Sequence, residues 1–174
     1  NACDLYFKIA DQKDEDLPAI KFKAAFIYYT HNHFVEAAKR YNEIIERWPG
    51  TDLSKKSAHL VLASLNVQEK WEALEQYARG FRDNKKLNAG DKKFNDEVQQ
   101  LVEGASFKSV LVAEKSARDE KDEAAQQEAL AKVATRFRGF QKEFGSSQYA
   151  DKATYNAMTI YDKADELDNA IIAG

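Results

Sequence analysis

Two stretches of this chain carry the same pattern of large and apolar residues, displaced by 37 positions. Phe34, Ala37, Tyr41 and Ile44 in the first stretch correspond to Trp71, Leu74, Ala78 and Phe81 in the second. Within each stretch these residues recur with the period of an amphipathic α-helix. A period of about 30 to 50 residues that carries a pair of helices is typical of folds in which helical hairpins stack on one another. The repeat therefore favours an all-α fold built from similar units.

Start and stop signals divide the chain into hairpins. Asp16 is a good N-cap and Pro18 is favoured in a first helical turn, so a helix is predicted to begin here. Apolar residues then follow a helical period, at Ile20, Ala24, Ile27 and Tyr28. The second helix is predicted to stop at Pro49-Gly50. Helices joined by such short turns lie antiparallel.

The predicted hairpins span residues 17–50, 52–86, 91–145 and 149–174. The third is longer than the first two, and one continuous helix over residues 91–144 is the alternative interpretation. The fourth has a complete first helix, but its partner helix begins at Leu167 and is cut off at Gly174. We therefore expect this sequence to be a fragment of a longer protein.

Composition excludes several classes of protein. The chain has only 7 Gly and 2 Pro, which disfavours an all-β sandwich or barrel. Its 26 basic and 29 acidic residues give a net charge of −3, and the basic residues occur as scattered pairs, so no nucleic-acid partner is predicted. No apolar stretch approaches the ~20 residues that span a bilayer. The single cysteine, Cys3, allows neither an intrachain disulfide nor a multi-cysteine metal site.

Candidate chemistry is sparse. His31-Asn32-His33 is the most metal-like cluster, but zinc needs a third and a fourth ligand, and a helix-connecting turn explains these residues better. The sequence contains no phosphate-binding glycine loop, nucleophile elbow, HExxH or EF-hand motif. We predict no catalytic residue, no metal and no cofactor.

The first hairpin resembles the tetratricopeptide repeat. That repeat places small and aromatic residues at fixed positions of two helices and a proline at its end, and the chain supplies them as Ala25, Tyr28, Phe34, Ala37, Tyr41, Ile44 and Pro49. The segment over 140–161 is similar to repeats of bacterial cell-envelope proteins, such as assembly lipoproteins and gliding or Tol-associated factors. The resemblance implies one domain over residues 1–174, folded as a right-handed superhelix of stacked antiparallel hairpins.

The resemblance also implies a binding surface. In this family the first helix of each hairpin lines a concave face that holds a peptide or protein segment. The corresponding residues here are Phe22, Phe26 and Tyr29, then His59, Ala63 and Asn66, and finally Tyr155, Thr159 and Asp162. For the rings of the first helix, burial between stacked repeats is the competing interpretation. Of the asparagine positions that grip a C-terminal carboxylate in some family members, only Asn156 matches.

The predicted function is that of a non-enzymatic scaffold, which binds a peptide or protein segment within a bacterial multiprotein assembly. The alternative is a helical oligomerisation or accessory domain of a larger enzyme or envelope machine. Exposed terminal repeats would allow a homo-oligomer. The resemblance favours a periplasmic or cell-envelope location over a cytoplasmic one.

Overall fold

The computed structural model describes Phe7 and residues 14–163, and this part of the chain is helical, without a β-strand. Its eight helices are α1 (Leu17–Thr30), α2 (Phe34–Arg47), α3 (Asp52–Val67), α4 (Trp71–Asp83), α5 (Lys85–Asn88), α6 (Lys92–Arg118), α7 (Glu123–Glu143) and α8 (Ala150–Lys163). The prediction of an all-α fold is confirmed. None of the described helices combines the length and the apolar composition that a bilayer crossing requires.

The chain divides into two compact units, Asn1–Gln99 and Gln100–Gly174. The first contains α1 to α5 and the beginning of α6, and the second contains the rest of α6 with α7 and α8. A single superhelical domain over residues 1–174 stays a prediction.

In the first unit, α2 packs against α1 and α3, and α3 packs against α1, α4 and α5. The repeat is visible in the buried positions of the first helix of each hairpin. Leu17, Lys21, Ala24 and Ala25 are buried in α1, and the residues 37 positions later, Ser54, Ala58, Val61 and Leu62, are buried in α3. The 37-residue repeat therefore extends to α1 and α3, whose sequences show it less clearly.

The buried face of α1 differs from the apolar period of its sequence. Ile27 is 56% exposed, whereas Lys21 is buried. The helix is apolar on nearly all sides, so its sequence does not select one face. The small residues Ala24 and Ala25 face the neighbouring helices, and Lys21 is accommodated by an ion pair with α2.

The second unit is organised around Phe107 of α6. The centroid of its ring lies 6.0 Å from that of Phe137 and 5.5 Å from that of Phe140, both on α7. The ring also stacks on Tyr149, with centroids 5.0 Å apart. Residues 119–122 separate α6 from α7, so the alternative of one continuous helix over 91–144 is wrong. The Asp122 side chain accepts a hydrogen bond from the Ala125 amide and caps α7.

Helix α8 forms the first half of the predicted fourth hairpin and packs on α7. Its Ala153, Ala157 and Ile160 are buried, as their helical period predicts. The predicted partner helix, which begins at Leu167, lies outside the described residues.

Candidate binding surface

A row of aromatic side chains runs along α1. The rings of Phe26 and Tyr29 stack, with centroids 6.2 Å apart and an interplanar angle of 16°. Tyr29 in turn meets the ring of Phe34, at the start of α2, edge to face at 5.6 Å. Phe26 remains 44% exposed, and Tyr29 and Phe34 are half-buried. We call Phe26, Tyr29 and Phe34 the aromatic row.

Phe22, which was predicted to belong to the same surface, is half-buried. Its ring packs at 5.5 Å against Tyr41, a fully buried residue of α2. The two rings connect the surface of α1 to the core of the first hairpin. Phe22 therefore packs on a core residue, whereas the more exposed Phe26 stacks on the half-buried Tyr29.

Two other side chains of α1, Lys21 and Tyr28, contact charged side chains of α2. The Arg40 guanidinium lies 4.3 Å above the ring of Tyr28, and Lys21 Nζ donates to Glu43 Oε1 at 2.6 Å. Partial burial acts to raise the pKa of Glu43, but the hydrogen bonds and charges of Lys21 and Arg47 outweigh it and hold that pKa below its ordinary value of 4.5. This ion pair compensates the burial of a lysine in the helix interface.

The residues predicted on α3 lie in one stripe along that helix. Ala63 is half-buried and Asn66 is exposed. The half-buried His59 already has partners on α6, since its Nε2 lies 3.2 Å from Glu97 Oε2 and its ring meets Phe94 edge to face at 5.2 Å. A ligand that uses His59 would have to share it with Glu97.

The residues predicted on α8 belong to the second unit. Tyr155 is 69% exposed and Asp162 is also exposed. The half-buried Thr159 donates its hydroxyl to the Tyr155 carbonyl oxygen at 2.9 Å, a bond within the helix. The side chain of Tyr155 is thus presented to solvent.

The sequence analysis did not predict a groove that α2 forms with α3 and α4. A cavity of about 550 Å³ lies between α2, the end of α3 and α4. Its apolar lining residues are Phe34, Val35, Ala38, Leu65 and Tyr77, and its polar lining residues are Lys39, Asn42, Glu43, Glu46, Ser64, Gln68 and Lys70. Phe34 belongs both to this groove and to the aromatic row. We call this cavity the α2–α4 groove.

A signal for the groove was present in the sequence. Helices α2 and α4 are strongly amphipathic, yet each carries one large apolar side chain on its polar face. These are Val35, which is 77% exposed, and Tyr77, which is 40% exposed. Each is unremarkable alone, because single exposed apolar residues are common on protein surfaces. Only the packing of the helices brings the two residues to one cavity.

Within the described range, no group of three or more His, Cys, Asp or Glu side chains is arranged to hold a metal ion. His31 and His33 are exposed, and His31 Nδ1 lies 2.8 Å from the Ile27 carbonyl oxygen at the end of α1. Both histidines belong to the turn between α1 and α2, as predicted.

Comparisons of the chain with protein-family models, with curated proteins and with solved structures found no match. The resemblance to tetratricopeptide repeats thus rests on the residues that carry it.

Proposed function

We propose that the chain is a non-enzymatic scaffold, which binds a peptide or protein segment on the α1 and α3 face of its first unit. In this proposal the hairpins stack as a right-handed tetratricopeptide-like superhelix, and the protein works in a multiprotein assembly of the bacterial cell envelope. The aromatic row would supply the apolar contacts, and the stripe on α3 would form the adjacent wall.

The observation that carries the proposal is the exposure of Phe26. Its ring is stacked on Tyr29 and is held by a helix that packs against both α2 and α3. An exposed aromatic side chain on a rigid support provides a large contact area at low entropic cost. Aromatic anchors of this kind contribute much of the binding energy in protein interfaces.

The test compares two alanine variants of the same helix. Phe26→Ala shortens the aromatic row, whereas Ile27→Ala removes a similarly exposed side chain from the adjacent face of α1. Partners are recovered by crosslinking and pull-down from native cells and are quantified by mass spectrometry. We expect one partner to be reduced about tenfold or more by Phe26→Ala and to be retained by Ile27→Ala.

The melting temperatures of both variants are measured first, so that a loss of partner is interpreted only for a folded protein. Retention of every partner by Phe26→Ala would contradict the proposal. That result would favour a function in oligomerisation or in support of a larger machine. Equal losses in both variants would also contradict it, because the aromatic row would then have no special role.

A further inference from the structure

We infer that the α2–α4 groove is a second binding site, which adjoins the proposed α1 and α3 face at Phe34, and that it takes a peptide segment with one large apolar side chain next to acidic residues. The groove lies mainly on α2 and α4, the second helices of the two hairpins, and the end of α3 completes its lining. Its volume of about 550 Å³ falls within the range of ~300 to 1,000 Å³ that is usual for ligand sites.

The apolar part of the groove fits a large side chain. Val35 and Tyr77 are exposed and belong to different hairpins, and the lining residues Ala38 and Leu65 are half-buried. An apolar anchor seated here would remove the exposed surfaces of Val35 and Tyr77 from water, which is favourable in proportion to the buried area.

The charged side chains of the groove determine which peptide residues can lie next to the apolar anchor. Lys39 and Lys70 are exposed, and neither has an ion-pair partner among the described residues. Glu43 is already engaged by Lys21 and Arg47. Glu46 is the remaining acid, and it lies seven residues beyond Lys39, or about 10 Å along α2. The lining thus holds two lysines without an ion-pair partner and one such acid, and this excess of cations attracts carboxylates.

Two carboxamides can bind the main chain of a peptide. Asn42 is half-buried in the groove, and its side chain makes no hydrogen bond within the described part of the protein. Gln68 donates from Nε2 to the Ser64 carbonyl oxygen at 2.8 Å, which leaves its Oε1 as an acceptor. A carboxamide offers both a donor and an acceptor, and a peptide unit presents the complementary pair. These groups favour a peptide over a purely apolar ligand.

The experiment begins with a displayed library of random peptides. The library is selected on the wild-type chain and depleted on the Val35→Asp variant. We expect enriched sequences to combine Leu, Phe or Trp with neighbouring Asp or Glu. A labelled synthetic peptide of that type is then titrated by fluorescence anisotropy against the wild type, Val35→Asp and Lys39→Glu/Lys70→Glu.

Both variants should bind the acidic peptide about tenfold or more weakly than the wild type does. The Lys39→Glu/Lys70→Glu variant should instead prefer a peptide in which Lys replaces the acidic residues, and this exchange of preference would not follow from a loss of folding. Val112→Asp, which changes a similarly exposed valine of the second unit, serves as the control and should leave the dissociation constant unchanged.

The inference is overturned if no peptide distinguishes the wild type from Val35→Asp, or if the charge exchange leaves the preference unaltered. Phe26→Ala separates the two proposals, because Phe26 belongs to the aromatic row and is not a lining residue of the groove. Unchanged binding of the peptide in that variant supports a site distinct from the aromatic row. Loss of binding would place the peptide on the α1 face, which would overturn this inference and leave the proposed function standing.

Discussion

Asn32 and Glu69, 37 residues apart, adopt the same left-handed backbone conformation, with φ of 61° and 54°. Each ends the first helix of a hairpin in the same hydrogen-bonded turn. The His33 amide donates to the Tyr28 carbonyl at 2.9 Å, and its counterpart Lys70 donates to Leu65 at 3.0 Å. This is the Schellman arrangement, in which the left-handed residue is usually glycine. The sequence repeat is therefore also a repeat of backbone geometry.

Glu69 is poorly suited to this turn, since a left-handed conformation costs an L-residue about 1 to 2 kcal/mol. We expect Glu69→Gly to raise the free energy of unfolding by about 0.5 to 1 kcal/mol, because glycine adopts this conformation without strain. Denaturant unfolding followed by circular dichroism measures the change. Glu69→Ala retains the Cβ and should not raise the free energy of unfolding. Asn32→Gly should gain less than Glu69→Gly, because asparagine tolerates positive φ. Equal stability of the glycine and alanine variants at position 69 would contradict this account.

Gly50 is required by the turn between α2 and α3. Its φ is +79°, and an added Cβ would lie 3.0 Å from the Lys86 carbonyl oxygen. We expect Gly50→Ala to destabilise the protein by about 2 kcal/mol through strain and close contact. Gly80→Ala is the matched control, because nothing lies within 4 Å of its added Cβ in α4. Alanine should stabilise that helix by about 0.5 to 1 kcal/mol. Changes of the same sign in the two variants would refute this prediction.

The ion pair between Lys21 and Glu43 makes part of the stability dependent on pH. Because folding lowers the pKa of Glu43, the contribution is fully present above its ordinary value of 4.5 and is lost as the pH falls through the folded value. Glu43→Gln should reduce stability at pH 7 by about 1 kcal/mol, a modest figure since the carboxylate is partly exposed and screened. The difference between wild type and variant should shrink below pH 4.

Urea unfolding at a series of pH values measures that difference. Glu46→Gln changes an exposed carboxylate on the same helix that has no ion-pair partner within the described range. Its stability should follow that of the wild type at each pH. A Glu43→Gln difference that persisted unchanged into acid would show that Lys21 is not held by the carboxylate charge.

The hydroxyl of Tyr41 is buried and has no hydrogen-bond partner among the described residues. Burial, with a smaller effect from Tyr29, raises the pKa of Tyr41 far above its ordinary value. An unpaired buried hydroxyl costs about 1 to 3 kcal/mol, so Tyr41→Phe should leave the melting temperature unchanged or raise it. Tyr41→Ala should cost about 3 to 5 kcal/mol through the cavity it creates. A large loss in Tyr41→Phe would mean that the hydroxyl does form a bond.

The candidate surfaces were only partly predictable. Phe26 and Tyr155 were selected from the family resemblance, and both are exposed. His59 was selected in the same way, but its contact with Glu97 depends on where α6 packs, and no short-range pattern reports that. The α2–α4 groove was missed because Val35 and Tyr77 lie 42 residues apart in sequence.

The sequence by itself determined where most of the long helices begin and end, because caps, helix-breaking residues and apolar periods act over one or two turns. Pro49-Gly50, for example, lies between the end of α2 at Arg47 and the start of α3 at Asp52. Only the tertiary structure decided which side of α1 is buried, since nearly all of its sides are apolar. Close packing selected Ala24 and Ala25 for the interface and left Ile27 exposed, while Glu43 on the neighbouring helix made the burial of Lys21 tolerable. Such choices depend on neighbours that are remote in sequence.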